Sequence, residues 1–313
     1  MAARTRNKTR ILILGANGQV GRVLFYALQS YFPQAEIMGA VRPAHFHFEG
    51  VGAGGRAHSV IYDIHRQPWS GGNVDVVINC IGLMQGSEKE LFHAHTGTSL
   101  ALLQNRAAMG NPAIIQVSAL GAGGNNPSAF LRSKALADAA ILGQERTWVI
   151  RPSILCTPQT MLVKRIKKLR KLSALLARNL WLPASVLHTK IQPVMPADFA
   201  ATVAAVIENQ PTQRIIEAAG KEVYDFADLF ALAGVRTHIM PRKLFEIAAF
   251  MLRPLIRTFI SAEEMKLMGI NNTSDAGHIY HISGCEAQST ASFWKQQLHP
   301  DIRTRTDFST VFA

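Results

Sequence analysis

The chain has 313 residues, 48% of them hydrophobic and 17% charged, with a formal net charge of +12. That length buries a full core in one large domain or two coupled ones, and the composition excludes a disordered chain. The charge calls for a basic surface that meets nucleic acid, anionic lipid or an acidic partner. Cys80, Cys156 and Cys285 are too few and too far apart for a metal-ligand pattern, so no metal is expected and a reducing cytoplasm is the expected compartment.

Met1–Arg10 is basic and enters a strand directly, without the apolar stretch and cleavage site of a signal peptide. Ile11–Leu14 is four apolar residues running into Gly15-Ala16-Asn17-Gly18-Gln19-Val20-Gly21, and a helical pattern follows to Phe32 before Pro33. Strand, glycine turn and helix in that order form a cradle for a pyrophosphate on backbone N–H groups at a helix N-terminus. A plain strand–helix turn is the alternative. Ala35–Val41 is a second strand leading into Arg42, about twenty residues beyond the turn, where an acid would hold a ribose 2′-hydroxyl and an arginine suits a 2′-phosphate. Arg42 therefore favours NADP(H), with NAD(H) still open, unless it is simply a solvated strand-end residue.

Ala44–Ala57, with His45, His47 and several glycines, reads as a loop. His58–Tyr62 is a short strand ending at Asp63-Ile64, where Asp63 either meets an adenine amine or caps the next turn. Val74–Gly82 is a near-continuous apolar strand that closes on Asn79-Cys80-Ile81-Gly82, as expected for a parallel strand covered on both faces. Leu91–Met109 is expected to be one helix with Leu100, Leu103 and Ala107 on one stripe. Strand Ala113–Val117, helix Pro127–Leu142 and strand Thr147–Ile150 follow. This alternation specifies an α/β protein with a Rossmann-type, doubly wound parallel sheet.

After Arg151-Pro152-Ser153 the pattern changes. Met161–Arg178 is a helix with Lys164, Arg165, Lys167, Lys168, Arg170 and Lys171 opposite Leu162, Ile166, Leu169, Leu172 and Leu176. Such a helix either meets an anionic membrane or acidic protein partner or is a solvated face. No aromatic interleaving accompanies the charge, which disfavours nucleic acid. Helices are expected at Pro196–Asn209, Tyr224–Ala233, Arg242–Met251, Ala262–Met268 and Ser289–Leu298, with a strand at Arg214–Ala218. Leu244–Ile260 is apolar but broken by Glu246, Arg253, Pro254 and Arg257, a poor spanning helix, so the protein is expected to be soluble or peripheral to a membrane. The expected division is a dinucleotide domain over residues 1–155, with 190–220 returning to it, and a smaller, mostly helical substrate or partner region over 156–189 and 221–313.

The glycine turn, Asn79–Gly82, Val117-Ser118-Ala119-Leu120-Gly121-Ala122, Phe130-Leu131-Arg132-Ser133-Lys134 and Val149–Ser153 occur in the order found in the short-chain dehydrogenase/reductase superfamily. The chain resembles an atypical, extended branch. It is most similar to the group of the nucleotide-binding accessory subunit of respiratory complex I, including Gln192-Pro193-Val194 followed by Asp198. The resemblance implies that Gly15, Gly18 and Gly21 hold the pyrophosphate, Asn79 and Gly82 lie along the cofactor, Lys134 holds the nicotinamide ribose and Pro152 and Ser153 border the nicotinamide. The family's catalytic tyrosine, four residues before the lysine, is Phe130 here, which has no proton to give. Ser118 is the candidate for the family's serine, although Leu120 competes for that register, and Tyr62, His93 and His95 are the other donors a fold could bring near. The implied function is a nicotinamide-dinucleotide-binding protein with little or no turnover and a structural, assembly or redox-sensing role. The alternative is an NADPH-dependent reductase of a quinone or carbonyl acceptor with a non-tyrosine donor.

Overall fold

The computed structural model describes residues 9–43, 56–174, 177–251, 262–274 and 278–299. The loop expected over 44–57 falls almost entirely outside these residues, as do Leu176 and the segment 252–260. The chain divides into two compact units, residues 1–151 with 200–216, and residues 152–199 with 217–313.

The first unit is built on parallel strands β1 (Arg10–Leu14), β2 (Glu36–Val41), β3 (Ala57–Ile61), β4 (Val76–Asn79), β5 (Ala113–Val117) and β6 (Thr147–Pro152). They lie in the order β3-β2-β1-β4-β5-β6, with a later strand, Ile215–Ala218, beyond β6. The order reverses between β1 and β4, and ligands of open α/β sheets bind outside the strand C-termini at such a switch point. Ile11, Leu12 and Ile13 are fully buried because helices cover both faces of the sheet. Helix α1 (Gln19–Tyr31) buries Val23, Leu24, Ala27 and Leu28 at helical spacing and ends before Pro33.

The helix expected over Leu91–Met109 is broken. It comprises α2 (Glu88–Phe92), a π-helical turn (His93–Gly97), α3 (Thr98–Asn105) and a 3₁₀ turn (Ala107–Met109). The expected stripe is also corrected: Leu100 and Ala107 are exposed, and the buried face is Leu91, His95, Thr98, Ser99 and Leu102. The polar residues of that face have partners inside: His95 bonds Ser133 of α4 (Ala129–Leu142), Thr98 bonds His65, and Ser99 donates to Gln116 of β5.

In the second unit α5 runs Met161–Ser173, shorter than expected. Ala177 and Arg178 adopt positive φ, and the Arg178 N–H bonds back to the Ser173 carbonyl at 2.7 Å, which turns the chain out of the helix. Val163, Ile166 and Leu169 of α5 pack with Phe230, Trp294 and Leu298 in one core. Two small pairings were not anticipated: β7 (Asn179–Leu182), parallel to Arg236–Ile239, and Lys190–Ile191, antiparallel to Tyr224–Asp225. The second pairing delays the helix expected from Tyr224, which starts at Phe226 with Asp225 and Asp228 forming a capping box. Among the described residues no helix is long and apolar enough to cross a membrane.

Candidate functional site

β1 delivers the chain to Gly15, whose φ of +72° is a left-handed value that glycine tolerates. The Gly18 N–H closes the turn on the Gly15 carbonyl at 3.0 Å. A Cβ at Gly21 would stand 2.3 Å from that same carbonyl oxygen, so only glycine lets α1 start directly against the turn. Gly18 is the N-cap and has no side chain to cap with, and no acid lies in the first turn of α1. The positive end of the helix is therefore not neutralised by its own residues, and Asn17, Gly18, Gln19 and Val20 are half-buried or exposed around it. A Cβ at Gly15 would also meet Ile81, which places the turn against the Asn79–Gly82 segment.

The Ala16 N–H donates to the Ala40 carbonyl at 3.3 Å, which ties the turn to the end of β2, with exposed Arg42 just beyond. Next to Arg42 the His65 ring lies 4.5 Å from the His93 ring at a 31° tilt and bonds Thr98 Oγ1 at 3.0 Å. Burial lowers the His65 pKa, and the charges of His93 and Arg42 lower it further. The Asp63 carboxylate accepts the His65 backbone N–H at 3.1 Å, capping the turn, and pairs with Arg66. Ile64 and Tyr62 turn their side chains into the core. Tyr62 meets Trp69 edge-on at 5.0 Å, and burial pushes its phenol up to about 12.

Helix α4 starts at Ser128, whose hydroxyl accepts the Leu131 N–H at 3.2 Å. One of its faces buries Leu131, Lys134, Asp138 and Ile141. Lys134 Nζ donates to the Val117 carbonyl at 3.0 Å and lies so close to Gly82 that a Cβ there would be 3.2 Å away. Burial pulls the Lys134 ammonium down to about 8 against the pull of Asp138. Ser118 donates its hydroxyl to Asp138 Oδ2 at 2.8 Å, and Arg151 donates to the same oxygen at 3.0 Å. Burial raises the Asp138 pKa, while Ser118, Arg151 and Lys134 oppose the rise.

His95 is fully buried. Its Nε2 lies 3.0 Å from the Leu83 N–H, which can only donate, so Nε2 must accept and Nδ1 must carry the proton. That proton goes to Ser133 Oγ at 2.7 Å, and Ser133 donates in turn to the Phe130 carbonyl at 2.9 Å. Burial, then the Lys134 charge, lowers the His95 pKa to about 3. The Phe130 ring stands edge-on to His95 at 5.5 Å. Asn79 donates to Gln116 Oε1 at 2.9 Å and accepts the Ile81 N–H at 3.1 Å. The Cys80 thiol is pushed up to about 12 by burial and is neutral.

The structure thus joins Gly15, Ile81, Gly82, Lys134, Val117, His95 and Phe130 in one chain of contacts. Pro152 and Ser153 belong to the second unit, where the Ser153 N–H donates to the Ala218 carbonyl at 2.9 Å and its hydroxyl bonds Asn272. Sequence reasoning did not assign roles to Ser133, Asp138 or Gln116. The signal for Asp138 was its place one helical turn from Lys134, and for Gln116 its cross-strand register with Asn79.

No protein-family model matches the chain, and no curated protein matches it in sequence. Solved structures do match in fold. A nucleoside-diphosphate-sugar epimerase from Staphylococcus aureus superposes with a TM-score of 0.67 at 18% identity, covering 92% of this chain and 100% of that one. A short-chain dehydrogenase/reductase superfamily protein from Agrobacterium tumefaciens with bound NAD gives 0.60 at 15% identity, covering 92% and 95%. RMD from Pseudomonas aeruginosa, complexed with NADPH, gives 0.58 at 14% identity, covering 92% and 99%. At these identities the likeness is one of fold, and the fold is the Rossmann-type one of the epimerase and short-chain dehydrogenase/reductase structures.

Proposed function

We propose that the chain binds a nicotinamide dinucleotide, with NADPH preferred, and turns it over slowly or not at all. The observation that carries this reading is the pairing of an intact cradle with a centre in which Phe130, His95 and Ser118 have no proton to offer. The Gly15–Gly21 turn and the start of α1 have the backbone conformation and electrostatics an anionic pyrophosphate needs. Arg42 would meet the 2′-phosphate, and Lys134 the ribose hydroxyls. A bound NADPH supplies hydride, but carbonyl reduction also needs a proton at the acceptor oxygen. Phe130 has none, His95 Nε2 points a lone pair rather than a proton at Leu83, and the Ser118 proton is committed to Asp138. The motif resemblance to the complex I accessory subunit group supports an assembly or redox-sensing role for such a protein.

The test is calorimetric titration with NADPH and NADH, followed by assays with quinones, aldehydes and ketones. Stoichiometric NADPH binding without oxidation is expected. Arg42→Asp should weaken NADPH by about ten-fold or more and NADH much less, by loss of a charge-assisted contact to phosphate. Equal weakening of both would remove the 2′-phosphate reading.

A second reading rests on Lys134, whose buried ammonium has a pKa of about 8 and borders Gly82. It could give a proton to a quinone-like acceptor. Turnover that disappears in Lys134→Ala while NADPH still binds would establish this reading in place of the first.

A further inference from the structure

The second unit carries a helix with two apolar faces. Over Arg242–Met251, Phe245 packs inward against the core, the ordinary arrangement for a surface helix. At ~100° per residue, Leu244, Ile247, Phe250 and Met251 fall within an arc of roughly 120° on the opposite side. All four are exposed: Leu244 52%, Ile247 61%, Phe250 71% and Met251 73%. Ile239, three residues before the helix, is 62% exposed. β7 packs against this helix and presents Trp181, 41% exposed and stacked on His238 at 5.3 Å. Scattered exposed apolar residues need no explanation, but a contiguous stripe of large ones marks an interaction surface.

The charge around the stripe is one-sided. Arg178, Arg236, Arg242 and Lys243 are all exposed, and the Arg236 N–H bonds to the Arg178 carbonyl at 2.8 Å, which sets those two side by side. Between residues 161–182 and 236–251 the only acid is Glu246, and it is paired with Arg242 at 2.8 Å. We propose that the outward face of the Arg242–Met251 helix, with Ile239 and Trp181, docks this protein on an anionic lipid bilayer surface. The apolar stripe would enter the boundary between headgroups and acyl chains, and the arginines and lysines would meet lipid phosphates. A 10-residue helix is too short to span, so this is a surface contact. A second copy of the chain fits less well, because a two-fold contact through this face would bring two surfaces of like positive charge together. This surface is distinct from α5, whose Val163, Ile166 and Leu169 are buried in the core. The inference does not depend on nucleotide binding.

The experiment is flotation of the full chain with vesicles of phosphatidylcholine alone and with equal phosphatidylglycerol. Binding is expected to the anionic vesicles, at least about ten-fold stronger than to the neutral ones, and to weaken as salt rises. Ile247→Glu with Phe250→Glu alters exposed side chains only and should reduce binding by roughly ten-fold or more. Lys243→Glu with Arg236→Glu should reduce the preference for anionic lipid while leaving the residual binding to neutral vesicles. The idea is overturned if wild type ignores anionic vesicles, or if the Ile247/Phe250 variant binds as well as wild type. It is also overturned if sedimentation shows a dimer that the same variant dissociates.

Discussion

His95 shows how one side chain sets the chemistry of its neighbourhood. The Leu83 N–H forces its tautomer, Ser133 takes its proton, and the ring cannot act as an acid toward anything bound at Gly82. The same burial makes His95 a source of pH dependence. Its folded pKa of about 3 lies below the ordinary 6.5, so the unfolded chain takes up a proton that the folded chain refuses. The contribution of His95 to stability is full above pH 6.5 and is lost as pH falls from 6.5 toward 3. In His95→Gln, urea denaturation across that window should give a shallower fall than wild type, by as much as ~1.4 kcal/mol per pH unit. Parallel slopes would mean that His95 is not held neutral. The buried His95 could be suspected from the sequence as a donor. Its actual role was hidden, because the partner that decides the tautomer is a backbone N–H twelve residues away.

Among the elements, the glycine turn with α1 and the broken α2–α3 helix behave differently. The turn was legible because its requirement is local: a left-handed residue, a closed turn and a helix start all sit within seven positions from Gly15 to Gly21. Gly21→Ala should cost about 1–3 kcal/mol from backbone overpacking and also abolish dinucleotide binding, as read by denaturation and titration together. An alanine variant that kept both would mean that α1 can move off the turn without consequence. The π-helical turn at His93–Gly97 was not legible. Apolar spacing reports which residues face inward and not which carbonyl each N–H chooses, and here the inward face is polar.

For the whole molecule, the two units have separate cores, one centred on β1, the other on Trp294, Phe226, Phe230 and Ile166. Trp294 is fully buried, and its indole N–H has no hydrogen-bond partner among the described residues. Trp294→Ala should cost about 3–5 kcal/mol in chemical denaturation. Trp294→Phe should cost distinctly less, since it keeps an aromatic ring and removes an unpartnered buried donor. Equal costs would show that the indole N–H carries no penalty. The helix expected over 161–178 illustrates the same scale. Its apolar spacing was legible, but only the packed second unit shows that the core uses that face.

The sequence by itself determined the parallel α/β architecture, the glycine turn and the place of Arg42 just after β2. Each of these follows from short-range rules, namely strand runs, turn conformations and residue chemistry. β5 was legible to its ends, because five apolar or strand-compatible residues are bounded by Pro112 and by the Ser118 turn. Only the tertiary structure decided where the protons and partners of the site lie. Ser118 faces Asp138, Lys134 faces Val117 and Gly82, and His95 is locked by Leu83 and Ser133. It also decided that Leu244, Ile247, Phe250 and Met251 stand exposed on one side of Arg242–Met251. Those facts depend on elements far apart in the chain meeting in space, and no local spacing encodes which of two apolar faces a core will take.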